Sequence, residues 1–240
     1  RAATVRALEY APVDLRVRLA FPRLEDSVRA VRIEAARVLA SISAGELTTE
    51  QQALLDNGIR EYIEAQQAMA ERPVAQTNLG NLYAAQGEAD RAVSAYKTAV
   101  DLNPVFSPAY VNLADLYRTQ GNETEAGNVL RDAIKVIPEN ADVRYALGLS
   151  LIRQKHTEEA LEELRLASAL TPDNAHYIYV YAVALNSTGK PKQALMILQG
   201  AHTAHPGNSE ILQALIALHR DSGNQEAARI YAEKLRAISP

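Results

Sequence analysis

Apolar residues recur along most of this chain at spacings of one, three and four, the pattern of helices that bury one face. The pattern is itself periodic. Leu79, Gly80 and Tyr83 come before a break at Gly87; Ala92, Tyr96 and Ala99 follow it and lead to Pro104. Thirty-four residues on, the same places hold Leu113, Ala114, Tyr117, Ala126, Leu130, Ala133 and Pro138. Leu147, Gly148, Leu151, Ala160, Leu164, Ala167 and Pro172 come next, then Tyr181, Ala182, Leu185, Ala194, Leu198, Ala201 and Pro206. Turns at Gly87, Gly121, Gly189 and Gly223 split each unit in two, so each unit is predicted to be a helical hairpin closed by a proline that cannot continue the second helix. Ser107-Pro108 is expected to restart the chain as N-cap and first helical residue, with Asn140 and Ser209 as later caps.

This pattern resembles the tetratricopeptide repeat (TPR) family, with small residues where two helices cross and a proline between hairpins. Five units are delimited, 73–106, 107–140, 141–174, 175–208 and 209–240. The implied fold is all-α, a right-handed α-solenoid of antiparallel helical hairpins. Two positions depart from the pattern. Lys155 stands where the other units carry the turn glycine, and Ala232 stands where a large second-helix residue is usual. The stretch HYIYVYAVAL from His176 alternates like a strand, yet the repeat frame places a helix over 175–187, because a strand there would break the stack.

Residues 1–42 read differently. LEDSVRAVRIEAARVLASI resembles the second half of a HEAT repeat, with Asp26 in a turn and Arg32 six residues later, and Arg1, Arg6 and Leu8 lie over Arg32, Arg37 and Leu39 at a period of 31. The expected order is HEAT-like, then TPR superhelix. Between them 43–72 is read as a connecting long helix, capped by Thr48 or Thr49 with Gln51 or Gln52 completing a capping box. A similar HEAT-plus-TPR tail occurs in bacterial multihaem cytochrome c-type proteins, which leans the expected location towards the bacterial periplasm or cell envelope.

Charge sharpens this division. The net charge is −4, but residues 1–37 hold eight arginines against five acids. Those arginines could form an anionic-ligand patch or could brace turns. A net charge this small does not imply nucleic acid, and no run approaches about 18 apolar residues, so neither nucleic acid nor membrane insertion is expected as a mode of binding. There is no cysteine, hence no disulfide framework or thiolate metal site. The chain begins at Arg1 without a leader-like stretch, which suggests that its targeting information lies elsewhere.

No catalytic constellation emerges, and no cofactor or metal is expected. Thr188-Gly189-Lys190 lacks the glycine and strand context of a phosphate loop, and His202 with His205 has metal spacing but no third ligand. What remains is binding. The TPR resemblance implies that the first helix of each hairpin lines a concave groove, exposing Asn78, Asn81, Asn112, Asp115 and Arg118, then Tyr145, Leu149, Ile152 and Arg153, then Tyr179, Val183 and Asn186. Amides in the early units suit a peptide backbone, and tyrosines and aliphatics in the later units supply burial. The family's carboxylate clamp needs groove lysines; none is present, so no ligand of that kind is expected. The expectation is a non-enzymatic scaffold for an extended segment or helix of a protein partner. The alternative is the substrate-recruiting arm of a larger enzyme such as a glycosyltransferase, since NLGNLYAAQG also resembles the repeats of O-linked N-acetylglucosamine transferases.

Overall fold

The computed structural model describes residues 1–238, apart from the side chain of Ala44, and within them the secondary structure is entirely helical. Two compact units divide the chain, 1–120 and 121 onward. The first contains α1 (Ala2–Arg6), α2 (Val13–Ala20), α3 (Arg29–Leu39), α4 (Thr49–Gln67), α5 (Pro73–Ala85), α6 (Ala89–Leu102) and α7 (Ser107–Thr119). The second contains α8 (Glu123–Val136), α9 (Ala141–Arg153), α10 (Thr157–Leu170), α11 (Ala175–Ser187), α12 (Pro191–Ala204), α13 (Ser209–Asp221) and α14 (Gln225–Ile238). No helix among the described residues is long and apolar enough to cross a membrane.

From α5 onward the helix starts keep the sequence period. First helices begin at 73, 107, 141, 175 and 209, and second helices at 89, 123, 157, 191 and 225. The tyrosine-alternating stretch is helical, because its ring positions also fit the first-helix frame and Ala182, Ala184 and Leu185 need burial against α12 and α13. Two caps differ from the sequence reading by one residue. Ser107 makes no cap hydrogen bond and is already helical, and Asn208, not Ser209, accepts from the Ile211 amide. Asn140 and Asn174 cap α9 and α11 in the same way, so three asparagines share the repeat.

The turn between paired helices demands a left-handed residue. Gly87, Gly121, Gly189 and Gly223 have φ of 76 to 79°, and Lys155 adopts 63° in the same place. An L side chain there costs about 1 kcal/mol against glycine. The third hairpin tolerates that cost because the following His156 amide still bonds back to the Leu151 carbonyl at 2.9 Å, like its counterparts at 88 and 190.

Helix crossings are set by size pairing. A Cβ at Gly80 would lie 2.4 Å from the Tyr96 ring, and one at Gly148 would lie 2.7 Å from Leu164. Ala92, Ala126, Ala160 and Ala194 are all buried on the second helices. In the last hairpin the relation is inverted: Ile216 stands where Gly80 and Gly148 stand, and Ala232 where Tyr96 and Leu164 stand. The small Ala232 thus has a large counterpart on its partner helix.

Residues 29–39 form an amphipathic helix that buries Val31, Ala35, Ala36, Val38 and Leu39, packed against α1, α2 and α4. Helix α4 carries a full capping box between Thr48 and Gln51, then stops at Gln67. It ends well short of Pro73. Residues 68–72 turn instead, and Pro73 opens α5, where its missing N–H costs nothing. The Arg32 guanidinium donates to the Asp26 backbone carbonyl at 2.9 Å and pairs with Glu61 of α4 at 2.7 Å, while the Asp26 carboxylate accepts from the Val28 amide.

Candidate functional site

In both units the first helices of the hairpins carry polar and aromatic side chains on one ridge, held by different chemistry. In the first unit that chemistry is amide hydrogen bonding. Asn78 donates through Nδ2 to Gln66 Oε1 at 3.0 Å. Asn81 Oδ1 accepts both from the Tyr96 hydroxyl at 2.7 Å and from Asn112 Nδ2 at 2.9 Å, which fixes the amide. Tyr96 reaches the ridge from a core position, passing the glycine at 80. Burial pushes its hydroxyl pKa up to about 12, with Asp115 adding to the effect, so it remains a proton donor. Asp115 and Arg118 are paired with each other at 2.7 Å and exposed.

Two cavities flank Asn81. One of about 590 Å³ lies among Arg6, Glu34, Arg37, Tyr62, Gln66, Asn78 and Asn81, and one of about 360 Å³ among Asn81, Tyr96, Asn112, Asp115 and Thr119. Both volumes fall in the range of ligand-sized clefts. Their charge is self-cancelling. Glu34 bridges Arg6 and Arg37, and Arg37 also pairs with Glu9. Burial would raise the Glu34 pKa, but the hydrogen bonds from Arg6 and Arg37 prevail and hold it below its usual value. Arg1, Arg29 and Arg32 likewise meet Asp26, Glu64 and Glu61. These five arginines therefore brace the helices, and Arg16 does the same through the Val38 carbonyl, which leaves Arg18 and Arg23 as the exposed cations of the segment.

In the second unit the ridge is aromatic. Tyr145 of α9 stacks on Tyr177 of α11 with ring centroids 4.4 Å apart and planes 18° from parallel. Its hydroxyl lies 3.0 Å from His176 Nε2, and His176 Nδ1 lies 3.2 Å from both Glu210 oxygens on α13. Tyr177 donates to Asp142 at 2.6 Å. Burial, then that hydrogen bond and the charge on Asp142, raise the Tyr177 pKa; burial and the charge of Glu210 raise that of Tyr145. The rings of Tyr145 and Tyr179 are half-buried and pack on the core around Leu164, Ala182, Leu185 and Leu215. They serve the fold as well as the ridge. Leu149 and Ile152 are half-buried, and Val183 and Asn186 are exposed. Arg153 is tied to Glu123, which also accepts from the Ser150 hydroxyl.

Tyr96, Asp142, His176, Tyr177 and Glu210 escaped the sequence reading as site residues. Tyr96 was visible only as a core position, and Asp142, His176 and Glu210 fall on the second residue of their helices. Their spacing of 34 residues was the signal that they share a row. The pair His202 and His205 diverges. His202 meets Lys234 at 2.9 Å and the edge of Tyr231, and His205 faces the Pro172 carbonyl at 3.2 Å. Among the described residues no group of three His, Asp or Glu could hold a metal ion.

Comparison with known proteins places the repeat. Two tetratricopeptide repeat models match, one over residues 77–141 and the other over 117–183. These residues are tetratricopeptide repeats. No curated protein matches the chain by sequence. Among solved structures, MamA is 21% identical with a TM-score of 0.56, covering 68% of this chain and 88% of its own. YrrB, described as a TPR protein with an unusual peptide-binding site, is 23% identical at a TM-score of 0.55, covering 74% and 91%. The Pseudomonas aeruginosa pilF protein is 22% identical at 0.59, covering 70% and 77%. At these identities the likeness is one of fold.

Proposed function

We propose that this chain is a protein-interaction scaffold whose first-helix ridges bind a segment of a partner protein. The observation that carries the reading is Asn81. Its oxygen is fully engaged by Tyr96 and Asn112, and its side chain lines two ligand-sized cavities, which leaves its NH2 group as the donor for an incoming carbonyl. The ridge residues Asn78, Asn81, Asn112, Asp115 and Arg118 supply polar contacts, and Tyr145, Leu149, Arg153, Tyr179, Val183 and Asn186 supply apolar area with polar ends. The tetratricopeptide repeats over 77–183 and the peptide-binding site named for YrrB support the same class of activity. We further read 1–42 as a HEAT-like lead-in that braces α4 and α5.

The test starts from peptides selected on the whole chain out of a random short-peptide library. Calorimetry then compares the wild type with Asn81→Ala, Val183→Trp and a second-helix control, Lys97→Ala. Each ridge variant should weaken a peptide that occupies its own unit by about ten-fold or more while the chain stays folded, and the control should have no effect. Val183→Trp should melt like the wild type, and Asn81→Ala should lose about 1 kcal/mol with its Tyr96 hydrogen bond. Peptides indifferent to both ridge variants would overturn the proposal.

A further inference from the structure

The acids of the second unit fall into two groups. On and around the second helices, carboxylates meet guanidinium or ammonium groups: Glu159 with Arg131 at 3.2 Å, Glu163 with Arg144 at 2.7 Å, Glu162 with Arg165 at 2.7 Å and Glu158 with Lys190 at 3.0 Å. On the aromatic ridge they do not. Asp142 is held by the Tyr177 phenol and Glu210 by the His176 imidazole, and among the described residues no arginine or lysine pairs with either. A phenol orients a carboxylate without cancelling its charge, and the imidazole ring holds Glu210 through a single nitrogen. Both carboxylates are exposed at least in part, and both are joined through hydrogen bonds to the same stacked pair of rings, Tyr145 on Tyr177.

This arrangement has one complementary chemistry. Aromatic faces carry negative quadrupole density, so carboxylates beside them that no arginine or lysine pairs with repel anions and attract a cation doubly, by charge-assisted hydrogen bonds and by cation–π contact. A metal ion does not fit, since the carboxylates belong to separate helices and are linked through rings, with no cluster of three ligands among the described residues. A guanidinium does, because it is planar, stacks on a ring and donates in a fork to a carboxylate. We propose that the aromatic ridge of the second unit seats an arginine of the partner segment against Asp142, Glu210 and the rings of Tyr145 and Tyr179. The proposal rests on the reading of this ridge as a partner-binding face, and it adds the sign of the partner's charge there.

The probe is the same random short-peptide library, selected on the whole chain. Peptides that depend on Val183 should be enriched in arginine. The best of them should lose about ten-fold or more in affinity when its arginine is replaced by citrulline, which keeps the shape and removes the charge. The same loss should follow in Asp142→Asn with Glu210→Gln, which keeps both acceptors, and added salt should weaken wild-type binding more than binding to this double variant. Peptides that depend on Val183 but show no basic enrichment, and bind the double variant equally, would overturn the cation assignment and leave the ridge standing. Selection yielding no peptide that depends on any ridge residue would overturn both.

Discussion

The two units build the same ridge by opposite means. In the first, Tyr96 reaches past Gly80 to hold Asn81, so the ridge is a chain of amides whose geometry is set from the core. In the second, Leu164 and Leu198 occupy the place of Tyr96 and offer no hydroxyl, and order comes from rings and carboxylates on the ridge itself, Asp142 to Tyr177, Tyr145 to His176 to Glu210. One repeat frame thus carries a polar or an aromatic ridge, ordered from the core where Tyr96 stands and along the ridge itself where leucine stands. The first unit fixes its donors by burial; the second spends part of its ridge on stability.

The sharpest way to break this contrast is at the glycines. Gly80→Ala forces a methyl into the Tyr96 ring at 2.4 Å and should cost about 2–3 kcal/mol, displacing the hydroxyl that anchors Asn81. Gly148→Ala meets the flexible Leu164 at 2.7 Å and should cost nearer 1 kcal/mol. Urea unfolding of the two variants measures the difference, and equal losses would mean that Tyr96 is no more constrained than Leu164. Next comes Tyr145→Ala, which removes a half-buried stacked ring and should cost about 1–2 kcal/mol of stability, whereas Tyr145→Phe keeps the stack and should melt within about 0.5 kcal/mol of wild type. Tyr96→Phe isolates the first-unit hydroxyl. It should cost about 1 kcal/mol and loosen Asn81 and Asn112, seen as altered side-chain amide signals in NMR, with the aromatic ridge unmoved.

The smallest expected effect concerns pH, and it too separates the units, since all five histidines lie beyond residue 120. Burial, reinforced by Lys234, lowers the pKa of His202 in the folded chain. A base with a depressed folded pKa leaves stability intact above its unfolded value, near about 6.5, and loses it as pH falls through that value towards the folded one, because the unfolded chain binds the proton first. The protection of α14 amides, relative to intrinsic exchange at each pH, should therefore fall between neutral and mildly acidic pH, and His202→Gln should flatten the response. An equal fall in the protection of α5 would break the comparison.

Much of this was legible in sequence because one physical requirement recurs. A hairpin that buries its face only against like neighbours must repeat small residue, large residue, turn and proline in phase, so the 34-residue period outweighed the strand-like HYIYVYAVAL. The caps at Asn140 and Thr48 were legible, whereas those read at Ser107 and Ser209 lie one residue earlier, at Phe106 and Asn208, because the backbone geometry and not the residue type decides where the helix begins. The end of α4 was overrun, since Ala68 to Arg72 contains no breaker before Pro73. The ridge was legible as positions but not as chemistry. Which acids pair with an arginine or lysine depends on partners 28 to 32 residues away, as with Arg131 and Glu159 or Lys190 and Glu158, and a core tyrosine whose hydroxyl surfaces on the ridge looks in sequence like any other core residue.

The account turns on the claim that partners bind the first helices. Amide hydrogen exchange on the whole chain, with and without a saturating library-selected peptide, tests it directly. Protection should concentrate in α5 and α7 for a peptide sensitive to Asn81, or in α9 and α11 for one sensitive to Val183, leaving α6, α10 and α12 unchanged. Protection centred on those second helices would contradict it.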